Sequence, residues 1–253
     1  MPLLPMTHLT RYTMFEEAIP RRALPLNSRC PRKGRPATYL FYGAPFYRLP
    51  HKAPHELDID DVDELPVAVL IPPGQMAGLQ TEIFPFDTGA WSRGLYAPYL
   101  PSTAGALDEF AAESVDAPTD AAKLVRLFFN TNLGYITGTS LSAPSASGSA
   151  AVECVKALHR AKLRADVRRR AIEVVALEQV GWPVDGLVVI GPRFQLERRR
   201  KLLPELDTLL ASPTTTVIHY ADMMPFSPTS DSRAVLDYAV KWLSQQGFLP
   251  EVP

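Results

Sequence analysis

The chain is 253 residues long, 46% hydrophobic and carries a formal net charge of −1, which is enough apolar material for a substantial core and excludes a disordered or fibrous polypeptide. No apolar run approaches the roughly 20 residues that cross a bilayer. The start Met1-Pro-Leu-Leu-Pro-Met-Thr-His8 lacks the basic opening and long apolar centre of a secretory leader, and Cys30 and Cys154 make no disulfide framework, so the expectation is a cytoplasmic protein without membrane partners.

The charge is segregated. Residues 1–55 hold nine Lys/Arg against two acids, 56–120 hold one against thirteen, 121–203 hold fourteen against six, and 204–253 hold two against six. Oppositely charged parts that face each other, or separate solvated surfaces, account for this pattern; a basic surface for a phosphate-bearing ligand or nucleic acid is the sharper reading.

Thr7-His8-Leu9-Thr10 precedes a short helix expected over Thr13 to Ile19. Thr38 to Tyr42 is aromatic and β-branched, the composition of a strand, and Gly43 and Pro45 end it. The stretch from Thr38 to Arg48 contains five aromatics and closes on a guanidinium. Core packing explains the rings, and a ligand wall explains the rings together with the arginine. Further strands are expected at 67–71, 81–86, 171–177, 186–191 and 215–220; Val67-Ala-Val-Leu-Ile71 and Leu187-Val-Val-Ile190 are continuous apolar runs suited to buried positions. Helices are expected at about 104–114, 119–129 and 149–164, and another begins near Phe194, with Pro204 starting, kinking or ending a turn. Thr137 to Ala151 is Ser/Ala/Gly-rich and reads as a mobile loop. The last helix runs from about 230 to 246, with Gly247 as its C-cap. Twenty-five prolines, about twice the average frequency, imply short elements joined by stiff loops. The elements follow no βαβ rhythm and there is no repeat or linker, so one α+β domain over 1–253 is expected.

Most short motifs fail on chemistry. Asp87-Thr-Gly-Ala90 matches an aspartic-protease signature, but two such loops are needed to share a proton, and a turn closing a strand explains the four residues as well. The acidic run Glu56 to Glu64 lacks the glycine and closing glutamate of a calcium loop. His51 and His55 are flanked by Pro50 and Pro54, which oppose the helix that would align them as metal ligands. No phosphate loop or dinucleotide fingerprint occurs. Cys154 and His159 are five residues apart on one helix, which separates them around its axis.

Three pieces remain: Thr7 to Thr10, the aromatic segment 38–48, and Asp166-Val-Arg-Arg-Arg170-Ala-Ile-Glu173-Val-Val175. Glu173 interrupts an otherwise apolar strand. It either points to solvent while its neighbours point inward, or lies on the inner face of a cleft where it has a partner or a task. The order His-x-Thr, aromatic strand, Arg-x-x-Glu resembles ADP-ribosyltransferase-like proteins of bacterial toxin and phage-defence systems.

That resemblance implies a split antiparallel β-sheet core with flanking helices and long Pro-rich loops, which grips NAD as co-substrate without a metal. It implies Glu173 as the catalytic carboxylate. His8 and Thr10 bind the cofactor, with His8 on the adenine-side ribose. Tyr39 or Tyr42 stacks on nicotinamide, and Arg48 and Arg170 neutralise pyrophosphate. Breaking the nicotinamide–ribose bond passes through an oxocarbenium-like state that a carboxylate stabilises. The acceptor is a protein, a nucleic acid or water, and the family context adds an antitoxin or cognate regulatory protein as partner. The competing reading is a non-catalytic interaction domain that binds a partner protein through aromatic and basic surfaces.

Overall fold

In a computed structural model, residues 1–26, 34, 36–46, 65–101, 103, 105–142, 148–161, 167–220 and 228–250 are described. Eight strands form one sheet: β1 (Met6–Arg11), β2 (Thr38–Tyr42), β3 (Pro66–Ile71), β4 (Thr81–Phe84), β5 (Ala112–Ser114), β6 (Glu173–Ala176), β7 (Leu187–Pro192) and β8 (Thr215–Tyr220). The order across it is β5-β4-β6-β2-β1-β3-β7-β8. Every neighbouring pair is antiparallel except β7 and β8, which run parallel. A parallel neighbour needs a crossover, and two helices supply it: α6 (Arg193–Arg200) and α7 (Pro204–Ala211). The fold is α+β, as expected, with β8 added as a parallel edge strand to an otherwise antiparallel sheet.

The remaining helices are α1 (Tyr12–Ala18), α2 (Thr88–Ser92), α3 (Ala117–Phe129), α4 (Asn132–Thr137), α5 (Ala150–Arg160) and α8 (Pro228–Gln245). Their ends follow capping chemistry. Asp116 accepts from the Thr119 amide ahead of α3, Thr131 Oγ1 from the Gly134 amide ahead of α4, and Ser149 from the Val152 amide ahead of α5. Pro204 opens α7 at its first turn, where a missing N–H costs nothing. Gly247 follows α8 with φ +74°, as expected of a C-terminal glycine.

The helix expected over 104–114 is instead a 3₁₀ segment (Ala106–Phe110) followed by β5. Gly105 enters it at φ +84° and Ala111 leaves it extended. Ser114 is then drawn into the ladder, where its carbonyl accepts from Thr81 Oγ1 at 2.9 Å and its own hydroxyl donates to Asp120 at 2.6 Å. The segment Thr137 to Ala151 is interrupted by the start of α5 at Ala150.

The sheet buries both faces. Leu9, Ala68, Leu70, Val188 and Ile190 pack with Tyr220 and with Val235 and Ala239 of α8. Each such burial contributes roughly 1.5–3 kcal/mol for a large aliphatic side chain. Met6, Leu40, Val69, Ile83 and Val174 belong to the larger core with Phe129, Tyr135 and Leu158 of α3, α4 and α5.

Candidate active site

The sheet opens between β1 and β2. These strands pair only at Met6↔Tyr42 and Thr7↔Phe41. Beyond that point β1 follows β3 as far as Arg11↔Pro66, and β2 follows β6 back to Thr38↔Ala176. The two strands therefore part, each held by its outer neighbour, and a cleft between two half-sheets begins at His8. The His8 ring crosses the opening: its Nδ1 lies 2.8 Å from the Tyr39 carbonyl oxygen. Burial lowers the pKa of His8, so at neutral pH the ring is uncharged, Nδ1–H donates to Tyr39, and Nε2 is left as a bare acceptor. Nε2 is buried and has no partner among the described residues.

Register fixes which side chains share a face, because opposite residues of an antiparallel ladder point the same way. Thr7, Phe41, Glu173 and Phe84 form one row, and Tyr39, Val175 and Glu82 form the next row on that same face. His8, Thr10 and Tyr42 have the opposite parity. The structure thus brings Tyr39 and Glu173 to one face and carries His8 and Thr10 to the other side of β1, joined to Tyr39 across the opening.

Glu173 is buried, with 3% of its surface exposed, so it does not point to solvent. Its Oε2 accepts a hydrogen bond from the Thr88 amide at 3.0 Å and a second, short one from the Thr88 hydroxyl. Thr88 is the first residue of α2, and Asp87 caps that turn by accepting from the Ala90 amide at 2.8 Å. The Asp87-Thr-Gly-Ala90 motif is therefore a helix cap that delivers two donors to a carboxylate on β6.

Tyr42 belongs to the core. It is fully buried, its hydroxyl accepts from the Leu4 amide at 2.9 Å, and its carbonyl accepts from the Tyr135 hydroxyl at 2.9 Å. Burial raises its pKa to about 12. Tyr39 is half-buried and packs at the margin of the core. Thr10 is buried opposite Val67 of β3.

Arg170 is buried against Gly138, the C-cap of α4 at φ +72°; a Cβ there would lie 1.4 Å from its Nη1. Burial lowers its pKa, with the neighbouring Arg169 adding to the effect. This guanidinium sits at a helix C-terminus, where the dipole favours a cation. Arg48, the Glu56–Glu64 run, His51, His55 and Cys30 lie outside the described residues.

His159 is a core histidine rather than a partner for Cys154. Its Nε2 lies 2.9 Å from the Pro85 carbonyl, and its ring stacks on Phe129 with centroids 4.8 Å apart. Burial lowers its pKa to about 3. Among the described residues no group of three or more His, Cys, Asp or Glu is arranged to hold a metal. An open cavity of about 650 Å³ is lined by Glu197, Arg200, Lys201, Pro204 and Asp207, none of them from the opening between β1 and β2.

Two residues escaped the sequence reading. Thr88 carried a usable signal, since an Asp ahead of a short turn is an N-cap pattern. Glu82 carried the same signal as Glu173, a glutamate inside an apolar strand, here Thr81-Glu-Ile-Phe84.

No protein-family model matches the chain, and no curated protein matches it. One solved structure similar to it is that of Thermus sp. 2.9 DarT in complex with carba-NAD+, which is 11% identical, covers 87% of this chain and 100% of that one, and superposes with a TM-score of 0.42.

Proposed function

We propose that the chain is an NAD-consuming ADP-ribosyltransferase-like enzyme that cleaves the nicotinamide–ribose bond and transfers ADP-ribose to a macromolecule or to water, as a toxin or defence effector of the cytoplasm. The observation that carries this reading is the buried Glu173 carboxylate, held by two donors from Thr88 on the same face as Tyr39, beside a sheet opening bridged by His8. A carboxylate fixed by donors is pre-oriented to bind ribose hydroxyls and to stabilise positive charge at the anomeric carbon. Tyr39, with its parity matching Glu173, is the nicotinamide-side aromatic. The bare His8 Nε2 accepts from a ribose hydroxyl, Thr10 lies beyond it on the same strand, and Arg48 neutralises pyrophosphate. Arg170 orders the end of α4.

The test is nicotinamide release from NAD, with water alone and with cell extract supplied as acceptor. Glu173→Gln keeps the size of the side chain and removes its charge, so turnover falls by about 10²-fold or more while the thermal midpoint changes little. An unaltered chain that neither binds NAD nor releases nicotinamide refutes the enzyme reading.

One observation favours the second reading. The two Thr88 bonds also make Glu173 a structural anchor for α2, as in a non-catalytic interaction domain that binds a partner protein. In that case the unaltered chain releases no nicotinamide and Glu173→Gln has no enzymatic signal to lose.

A further inference from the structure

We infer that Arg170, with Arg169 and Arg160, forms a phosphate-binding site of its own, set apart from the opening between β1 and β2. The site does not depend on the reading of Glu173. Arg170 is 8% exposed, and its Nε is buried without a hydrogen-bond partner among the described residues. The charged or polar groups there that act on it are Arg169 and the Tyr135 phenol, and neither is a carboxylate. A guanidinium keeps its proton, so a buried one needs a counter-charge. The dipole of α4, a helix of six residues, supplies only a fraction of one. On α5, Glu153 is engaged with Lys156 at 2.9 Å.

A second observation points the same way. Burial lowers the pKa of His159, and the charges of Arg170, Arg169 and Arg160 lower it further. Three guanidiniums therefore lie within electrostatic reach of one buried ring. Backbone oxygens position two of them: Arg169 Nε donates to the His159 carbonyl at 3.4 Å, and Arg160 makes a short bond to the Ser142 carbonyl. Exposure rises from buried Arg170 through half-buried Arg169 to exposed Arg160, which gives an anion a path in from solvent. A doubly charged oxyanion suits such a group, because guanidinium forks match phosphate oxygens in pairs.

The strands place this group away from the opening. Tyr135, within reach of Arg170, donates to the Tyr42 carbonyl and accepts from the Ile172 amide. Tyr42 belongs to the closed end of the β1–β2 ladder, Met6↔Tyr42, whereas the opening begins beyond Thr7↔Phe41 and runs toward Thr38. Three strand residues, about 10 Å, separate Tyr42 from Tyr39, whose carbonyl meets His8. The ligand is thus inorganic phosphate or the terminal phosphate of a small molecule, not the pyrophosphate of a nucleotide lying in the opening.

The experiment titrates inorganic phosphate to about 100 times its dissociation constant, against chloride at matched ionic strength, with thermal melting and calorimetry as readouts. It compares the unaltered chain with Arg170→Gln, Arg160→Gln and, as a distant control on α6, Arg193→Gln. The melting midpoint of the unaltered chain and of the control should rise saturably, by roughly 5–10 °C at that excess. Arg170→Gln should abolish the rise, and Arg160→Gln should weaken binding by about two- to fivefold. Without phosphate, Arg170→Gln should melt within about 2 °C of the unaltered chain or above it, because it removes an uncompensated charge. A midpoint that falls equally in both buffers makes Arg170 structural and overturns the site. No saturable rise in the unaltered chain overturns it as well, and so does an equal rise in all four chains, which is general salt exclusion. Phosphate binding should persist at saturating NAD; displacement by NAD would give Arg170 to the nucleotide and overturn the separate site. If Arg170→Gln does not fold, an Arg160→Gln chain that binds phosphate as tightly as the control overturns the assignment.

Discussion

Tyr135→Phe is the perturbation that most directly tests how the site is held. The Tyr135 hydroxyl is inserted between β2 and the residue that precedes β6: it donates to the Tyr42 carbonyl at 2.9 Å and accepts from the Ile172 amide at 3.0 Å. The reciprocal bond, Tyr42 amide to Ile172 carbonyl, is direct at 3.0 Å. One phenol therefore completes the ladder in the position just before Glu173. Burial raises the pKa of Tyr135 well above the ordinary phenol range, so the hydroxyl keeps its proton at every pH where the protein is folded. Removing it leaves one buried donor and one buried acceptor without a partner, at about 1–3 kcal/mol each. Closure of the strands onto a direct bond would recover part of this, giving a net loss of about 3 kcal/mol. For a chain of this size that corresponds to a fall in the melting midpoint of roughly 6–12 °C. Urea unfolding at pH 7 measures it, with the slope expected to stay unchanged. A loss below about 0.5 kcal/mol, the level of a neutral surface change, would refute the bridging role.

Gly138→Ala combines a left-handed backbone (φ +72°) with a Cβ that would lie 1.4 Å from Arg170 Nη1 and 2.4 Å from its Cζ; it should cost about 1–3 kcal/mol in urea unfolding. Stability should also fall in acid. The folded-state pKa of His159 is lowered to about 3 and that of His8 is lowered too, both by burial, so below the ordinary value of 6.5 the unfolded chain takes up protons that the native state refuses. The stabilisation is complete above pH 6.5 and is lost as the pH falls below it, for His159 down to about pH 3, at up to about 1.4 kcal/mol per pH unit for each histidine. His159→Gln should start less stable and show a shallower decline between pH 6.5 and 5 in the same unfolding assay; an unchanged slope would mean that His159 is protonated in the folded state.

Much of the architecture could be read from local pattern. Continuous apolar runs marked β3 and β7, the aromatic run marked β2, and helical spacing with capping residues marked α3, α5 and α8, because each carries its own propensity and buries its own apolar side. β1 carries no such run. Met6–Arg11 becomes a strand by pairing with β3 along its whole length, a contact about sixty residues away in the chain. The misread helix over 104–114 shows the converse: its alanine and leucine content suits a helix, and the pairing of Ser114 with Thr81 overrides it.

The division is sharpest at the site. The residue types were legible: a histidine near the start, tyrosines in an aromatic strand, and a carboxylate inside an apolar one. Their mutual placement was not, because a strand alternates its faces with a period of two and only the pairing register says which parity meets which. Register put Tyr39 on the face of Glu173 and gave Tyr42 the opposite parity, where it is buried in the core. Local chemistry put a glutamate inside an apolar strand; the ladder between β2, β6 and β4 decided that it is buried and which aromatics share its face.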